Sequence, residues 1–140
     1  MTETWEYRDI AGTYQFWYKM KRDELLKRKI ILSIPTAPTV NSAFRNVRGK
    51  GRVRTRKYVA WAKEAGWLLK AQNVGHIAGK VNVDMEVPRI ANADIDNRIK
   101  PTLDLLQTMG VIDNDKNVEQ ITARWADGIQ AMLVTVERVA

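Results

Sequence analysis

Cysteine is absent from this chain, which excludes disulfide bonds, thiolate nucleophiles and cysteine-ligated zinc. That absence fits a reducing compartment, and a cytoplasmic protein is expected. The single histidine, His76, has no serine or cysteine partner to form a nucleophilic site and is read as incidental. No apolar run approaches the ~20 residues that span a bilayer. The opening MTETWEYRD lacks the basic end and apolar stretch of a signal peptide, so no membrane association is expected. Glycine-rich phosphate loops and internal repeats are missing too. What remains is a chain of 140 residues, 45% apolar, of ordinary size and composition for one packed domain.

Negative charge is missing from one stretch in particular. Between Arg45 and Lys57 there is no acid, while Arg45, Arg48, Lys50, Arg52, Arg54, Arg56 and Lys57 are all basic. Setting those seven aside leaves bases and acids equal in number, so this segment accounts for the whole net charge of +7. A charge run is often only a solvated loop. Seven cations without one acid favour a surface for nucleic acid, gripping the phosphate backbone rather than reading bases. Gly49 and Gly51 are expected to keep the segment flexible until it binds.

The remaining pattern reads as strand, helix, strand, helix, strand, strand. Residues 1–29 form an N-terminal extension crowded with Trp5, Tyr7, Tyr14, Phe16, Trp17 and Tyr18. These aromatics are expected to pack on the core or across a dimer, with stacking on unpaired bases as the alternative. The extension ends in KMKRDELLKRK, a short charged helix. IILSIP reads as a buried strand, residues 36–55 as a loop, and residues 56–72 as a helix broken in confidence only by Gly66. In KVNVDMEVP the apolar residues Val81, Val83, Met85 and Val87 share one face, the mark of a half-buried strand. Ile95, Ile99, Leu103 and Leu106 then make the stripe of a second helix, which Gly110 is placed to end. VEQITARW and GIQAMLVTVERV read as two strands joined through ADG as a hairpin. The expected fold is α+β: a single domain over residues 30–140, with a mixed β-sheet and two main helices, behind the extension.

Acids are concentrated around the second helix, in NADIDNRIKPTLDLL and GVIDNDKNV. In an extended chain Asp94 and Asp96 would leave the same face about 6.6 Å apart, close enough to bracket one divalent ion. The turn at Gly110 lets the chain run back, so Asp115 could rejoin them. Lys100, four residues after Asp96, puts a cation beside the acids. Such a set suits phosphodiester hydrolysis, with a carboxylate-held Mg2+ to activate water and a lysine to stabilise charge on the phosphate. The same residues also allow a structural reading: Asp96 as an N-cap, Asp94 in a turn, DND in Asx turns, and Lys100–Asp104 as a surface ion pair.

DIDNRIKPTLDLL and GVIDND, with PTVNSAFR upstream, resemble the signature of the RusA family of Holliday junction resolvases. The similarity runs from about Ile30 to Glu137. It implies a homodimeric, Mg2+-dependent endonuclease, with Mn2+ as a substitute ion, that cuts four-way DNA junctions by paired symmetric nicks. By position, the resemblance makes Asp94, Asp96 and Asp115 the metal-binding acids and Lys100 the catalytic lysine. DND offers Asp113 as a second candidate, with Asp115 favoured. Two rival functions are a non-catalytic DNA-binding module of the same fold and a nuclease acting on flaps or other branched DNA.

Overall fold

The structure, a computed structural model, describes residues 29–139. The aromatic cluster and charged helix expected in the extension fall outside the described residues, apart from Lys29. Along the chain come β1 (Lys29–Ile34), a one-turn helix α1 (Val40–Ala43), β2 (Phe44–Val47), β3 (Gly51–Arg54), the long helix α2 (Arg56–Gln72) and β4 (Val81–Pro88). A 3₁₀ turn (Asp96–Arg98) runs into α3 (Ile99–Thr108). A second 3₁₀ turn (Asp115–Asn117), β5 (Val118–Ala126) and β6 (Met132–Arg138) complete the order. The fold is α+β with a mixed sheet and two main helices, as expected.

Strand periodicity builds the core. Ile30, Leu32 and Ile34 of β1, Val81, Val83, Met85 and Val87 of β4, and Met132, Val134 and Val136 of β6 are all buried. Alternate side chains on a strand leave opposite faces, so one face of the sheet is apolar throughout. Against it lie Trp61, Ala65 and Leu69 of α2 and Leu103, Leu105 and Leu106 of α3, all in one cluster. Each such side chain contributes roughly 1.5–3 kcal/mol when fully buried. The opposite sheet face is polar: Arg124 of β5 pairs with Asp84 (2.7 Å) and Glu86 (2.6 Å) of the neighbouring strand. Gln72 closes the β1 edge, accepting from Ser33 N–H at 2.9 Å and donating to Ser33 C=O at 2.6 Å. Among the described residues, no helix is long and apolar enough to cross a membrane.

Two expectations give way. The four strands run β1-β6-β4-β5, so β5 and β6 are not a hairpin; β4 lies between them, parallel to β5 and antiparallel to β6. A tight turn links strands one spacing apart, about 4.8 Å, whereas β5 and β6 are separated by two. Residues 127–131 make that crossing over the end of β4, which stops at Pro88, a residue with no N–H to donate. Arg89 fixes the crossover, its N–H bonding Ala126 C=O at 3.1 Å and its Nε bonding Asp127 Oδ1 at 2.7 Å.

The supposed loop at 36–55 is also ordered. It holds α1 and the β2–β3 hairpin, with Phe44 opposite Arg54 and Val47 opposite Gly51. Lys50 N–H closes the turn on Val47 C=O at 3.0 Å. Gly49 sits third in that turn with φ +81°, a conformation that favours glycine. Gly49 thus shapes the tip, and Gly51 opens β3.

Candidate active site

Lys100 stands in the first turn of α3. Pro101 follows it at no cost in hydrogen bonding, because the first four N–H groups of a helix have no intrahelical partner. Upstream, Ile95 has right-handed helical angles (φ −72°, ψ −33°), so the Asp94–Asp96 run is bent rather than extended, and the same-face spacing expected for a strand does not apply. Neither the 3₁₀ turn nor α3 has a side-chain cap, which removes the N-cap role for Asp96. Asp94 and Asp96 are exposed, and neither carboxylate has an ion-pair or hydrogen-bond partner among the described residues.

The return of Asp115 to this helix is built step by step. Gly110, φ +74°, ends α3: its N–H bonds Gln107 C=O at 3.1 Å, and Val111 N–H bonds Leu106 C=O at 2.9 Å. That pair of bonds is the Schellman pattern, for which a left-handed residue is needed. Val111 and Ile112 then plug into the core, and Ile77 N–H holds Val111 C=O at 2.9 Å. Asp113 turns aside to His76 Nε2 (2.8 Å) and the Gly79 N–H (3.1 Å). His76 Nδ1 meets Gly110 C=O at 2.6 Å and donates to it, a carbonyl being able only to accept. The Asx turn expected in DND is made by Asn114, which accepts from Lys116 N–H at 2.9 Å. Asp115 is left to face α3, its own N–H bonded to Gln107 Oε1 at 3.0 Å.

Lys100 bridges two acids. Its ammonium lies 2.7 Å from Asp115 Oδ2 and 2.9 Å from Asp104 Oδ1. It makes no ion pair with Asp96. The Asp115 bond, followed by the Asp104 bond, raises the lysine above its ordinary pKa, and the Lys100 ammonium in turn holds the Asp115 carboxyl below the usual range. Lys100 is therefore a fixed positive charge at neutral pH, not a base. Among the described residues, no three His, Asp or Glu side chains stand together as a ready-made metal cage. The acids come instead as two that share the single Lys100 ammonium, Asp104 and Asp115, and two, Asp94 and Asp96, without a partner among the described residues.

The basic hairpin is anchored by ring stacking. Arg52 stacks over the Phe44 ring at 4.5 Å, and Arg54 over the Tyr58 ring at 5.2 Å. Such contacts hold a guanidinium in place while leaving its charge available. Arg45, Arg48, Lys50, Arg56 and Lys57 are exposed, without a carboxylate partner among the described residues. Tyr58, buried against Phe44 and Trp61, connects the two regions. Its pKa is raised, first by burial and then by Asp104, with Arg54 and Lys100 opposing. Hairpin and acid cluster are thus within electrostatic reach of the same side chain.

Sequence reasoning missed Arg98, Gln107, Tyr58 and the ties of His76. Arg98 sits inside the motif and donates from Nη1 to Ala37 C=O at 2.5 Å, fastening the TAPT segment to the helix entrance. Its Nε is buried without a partner among the described residues, and burial lowers the pKa of the guanidinium. The spacing Lys100, Asp104, Gln107 was a usable signal, since residues four and seven apart share a helix face. Nothing in the sequence marked Ala37 as the partner of Arg98.

A family model described as Endodeoxyribonuclease RusA matches residues 34–137, most of the chain and the whole of the acidic region. Among curated proteins none matches the chain.

Proposed function

Since the chain belongs to the RusA endodeoxyribonuclease family, we propose that it resolves four-way DNA junctions by Mg2+-dependent paired hydrolysis, using Asp94, Asp96, Asp115 and Lys100. The family makes it a hydrolase acting on DNA and a Holliday junction resolvase. The finer reading is carried by one observation: a lysine clasped by Asp104 and Asp115 on the helix whose entrance bears two unpartnered carboxylates.

The donor set fits a hard cation. All the candidate ligands are carboxylate oxygens, and Asp94 and Asp96 are exposed and, among the described residues, uncommitted. Mg2+ is usually held by one or two carboxylates, with waters and substrate phosphates filling the other positions, so a closed protein cage is not required. When bound, such an ion lowers the pKa of water and neutralises charge on the attacked phosphate.

The remaining work falls to the chain. Hydrolysis forms a bond from water oxygen to phosphorus and breaks the bond to the leaving oxygen, which takes up a proton. Negative charge builds on the phosphoryl oxygens and the leaving oxygen along the way. The Lys100 ammonium answers that charge electrostatically. Asp104 keeps Lys100 oriented if Asp115 is given over to the ion. Arg45, Arg48, Lys50, Arg52, Arg54, Arg56 and Lys57 hold the phosphate backbone and set its register. Two such sites, related by the two-fold axis of a homodimer, match the two equivalent strands to be cut.

The test compares wild type with Asp96→Asn on labelled junction, flap and linear duplex, with and without Mg2+ or Mn2+, alongside the mass in solution. Wild type is expected to nick junctions symmetrically, as a species of twice the 16.0 kDa chain mass. Asp96→Asn is expected to bind as well or better, since removing an acid lowers repulsion of phosphate, and not to cut. Junction binding without cleavage in either ion would end the metal-nuclease reading. A monomer that still makes paired cuts would end the dimer.

A further inference from the structure

The outward face of α2 carries a pattern of which the proposed site uses only Arg56. Arg56, Lys63 and Lys70 recur at seven-residue intervals, two helical turns apart, and so form one stripe. Trp67 lies between the last two, four residues after Lys63 and three before Lys70. All four are exposed, the indole at 66%, while Tyr58, Trp61, Ala65 and Leu69 on the opposite face are buried. Lys70 Nζ lies 5.8 Å from the Trp67 ring centroid. None of the three cations has a carboxylate partner among the described residues, and the helix has a single acid, Glu64.

We infer that this stripe is a second DNA track, which binds the duplex arm beyond the hairpin through its phosphate backbone. The inference rests on the junction-nuclease reading and adds to it. Two observations commit the face to a polyanion. First, the stripe continues the basic hairpin, because Thr55 caps α2 directly after Arg54 and only Arg56 follows before the helix is under way. Second, an exposed core-sized aromatic set between unpaired cations is poorly suited to water alone and well suited to nucleic acid. Its ring gives a sugar or an unstacked base a flat surface, and its neighbours neutralise the phosphates.

The lengths agree. From Arg56 to Lys70 the helix rises about 21 Å, the length of about six base pairs. A strand gripped by the hairpin would therefore be supported along its flanking arm by the long helix.

Junction affinity is to be measured against salt in a chelator, which prevents cutting, for wild type, Lys63→Ala/Lys70→Ala, Trp67→Ala and Arg52→Ala/Arg54→Ala. Thermal melts check that these surface variants fold. Losing two phosphate contacts should lower the slope of log affinity against log salt by about 1.8. Trp67→Ala should weaken binding about tenfold and leave the slope unchanged, because an apolar stack releases no counterions. Wild-type slope and affinity in both stripe variants, with binding lost in the hairpin variant, would overturn the stripe and leave the nuclease reading standing. Failure of wild type to bind junctions would overturn that reading, and the stripe with it.

Discussion

At Asp113 the carboxylate accepts from the Gly79 N–H and faces His76, whereas two residues on Asp115 faces Lys100. The first ties down the turn and the second completes the charge cluster. Asp113→Asn should lower Tm by a few degrees and keep cleavage, while Asp115→Asn should abolish cleavage with the fold intact. The reverse pattern would exchange their roles. The Lys100–Asp115 pair also sets a pH window. The folded pKa of Asp115 is lowered, so its contribution is present above the ordinary carboxylate range and lost as pH falls through the lowered value. That of Lys100 is raised, so its contribution is present below the ordinary lysine range and lost as pH rises through the raised value. With Lys100 half exposed, solvent screening limits the pair to at most about 1 kcal/mol. Melting Lys100→Met and wild type across pH should show a small deficit at neutrality that closes at the acid end. A deficit that persists there would mean that packing, not charge, is lost. The Lys100–Asp104 pair was legible because its spacing is about one helical turn. Arg98 was not, since its partner Ala37 is 61 positions away.

At the scale of elements, the strands with apolar alternation could be read directly, because each buries one face. The β2–β3 hairpin could not: its residues are mostly Arg and Gly, and its stability comes from stacking on Phe44 and Tyr58 rather than from a buried stripe. Phe44→Ala should therefore act at a distance from the chemistry. Junction affinity should drop several-fold as Arg52 loses its platform, with cleavage of bound DNA little changed; single-turnover rates at saturating protein separate the two. An unchanged affinity would show that the hairpin does not need this anchor. The pairing of β5 was equally hidden. Chain neighbours usually pair, but the α3 crossover delivers β5 parallel to β4 and sends β6 to the far side.

For the molecule as a whole, polarity is divided between surfaces. The outer sheet face balances Arg124 against Asp84 and Glu86, while the hairpin and α2 present cations with no carboxylate partner among the described residues. Composition alone located that surplus, but not that a paired hairpin and an exposed helix face carry it. The clasp of Lys100 by Asp104 and Asp115 has a thermodynamic corollary. A domain in which Lys100 already offsets part of the charge of Asp104 and Asp115 is expected to stay folded without a dissolved ion. Chelator should leave its melting curve where it was, unlike that of a zinc finger, and a large downward shift would refute this. Such a protein could survey and seize a branched chromosome while inert, with the divalent ion as the last component to arrive: recognition and scission would be separable in time.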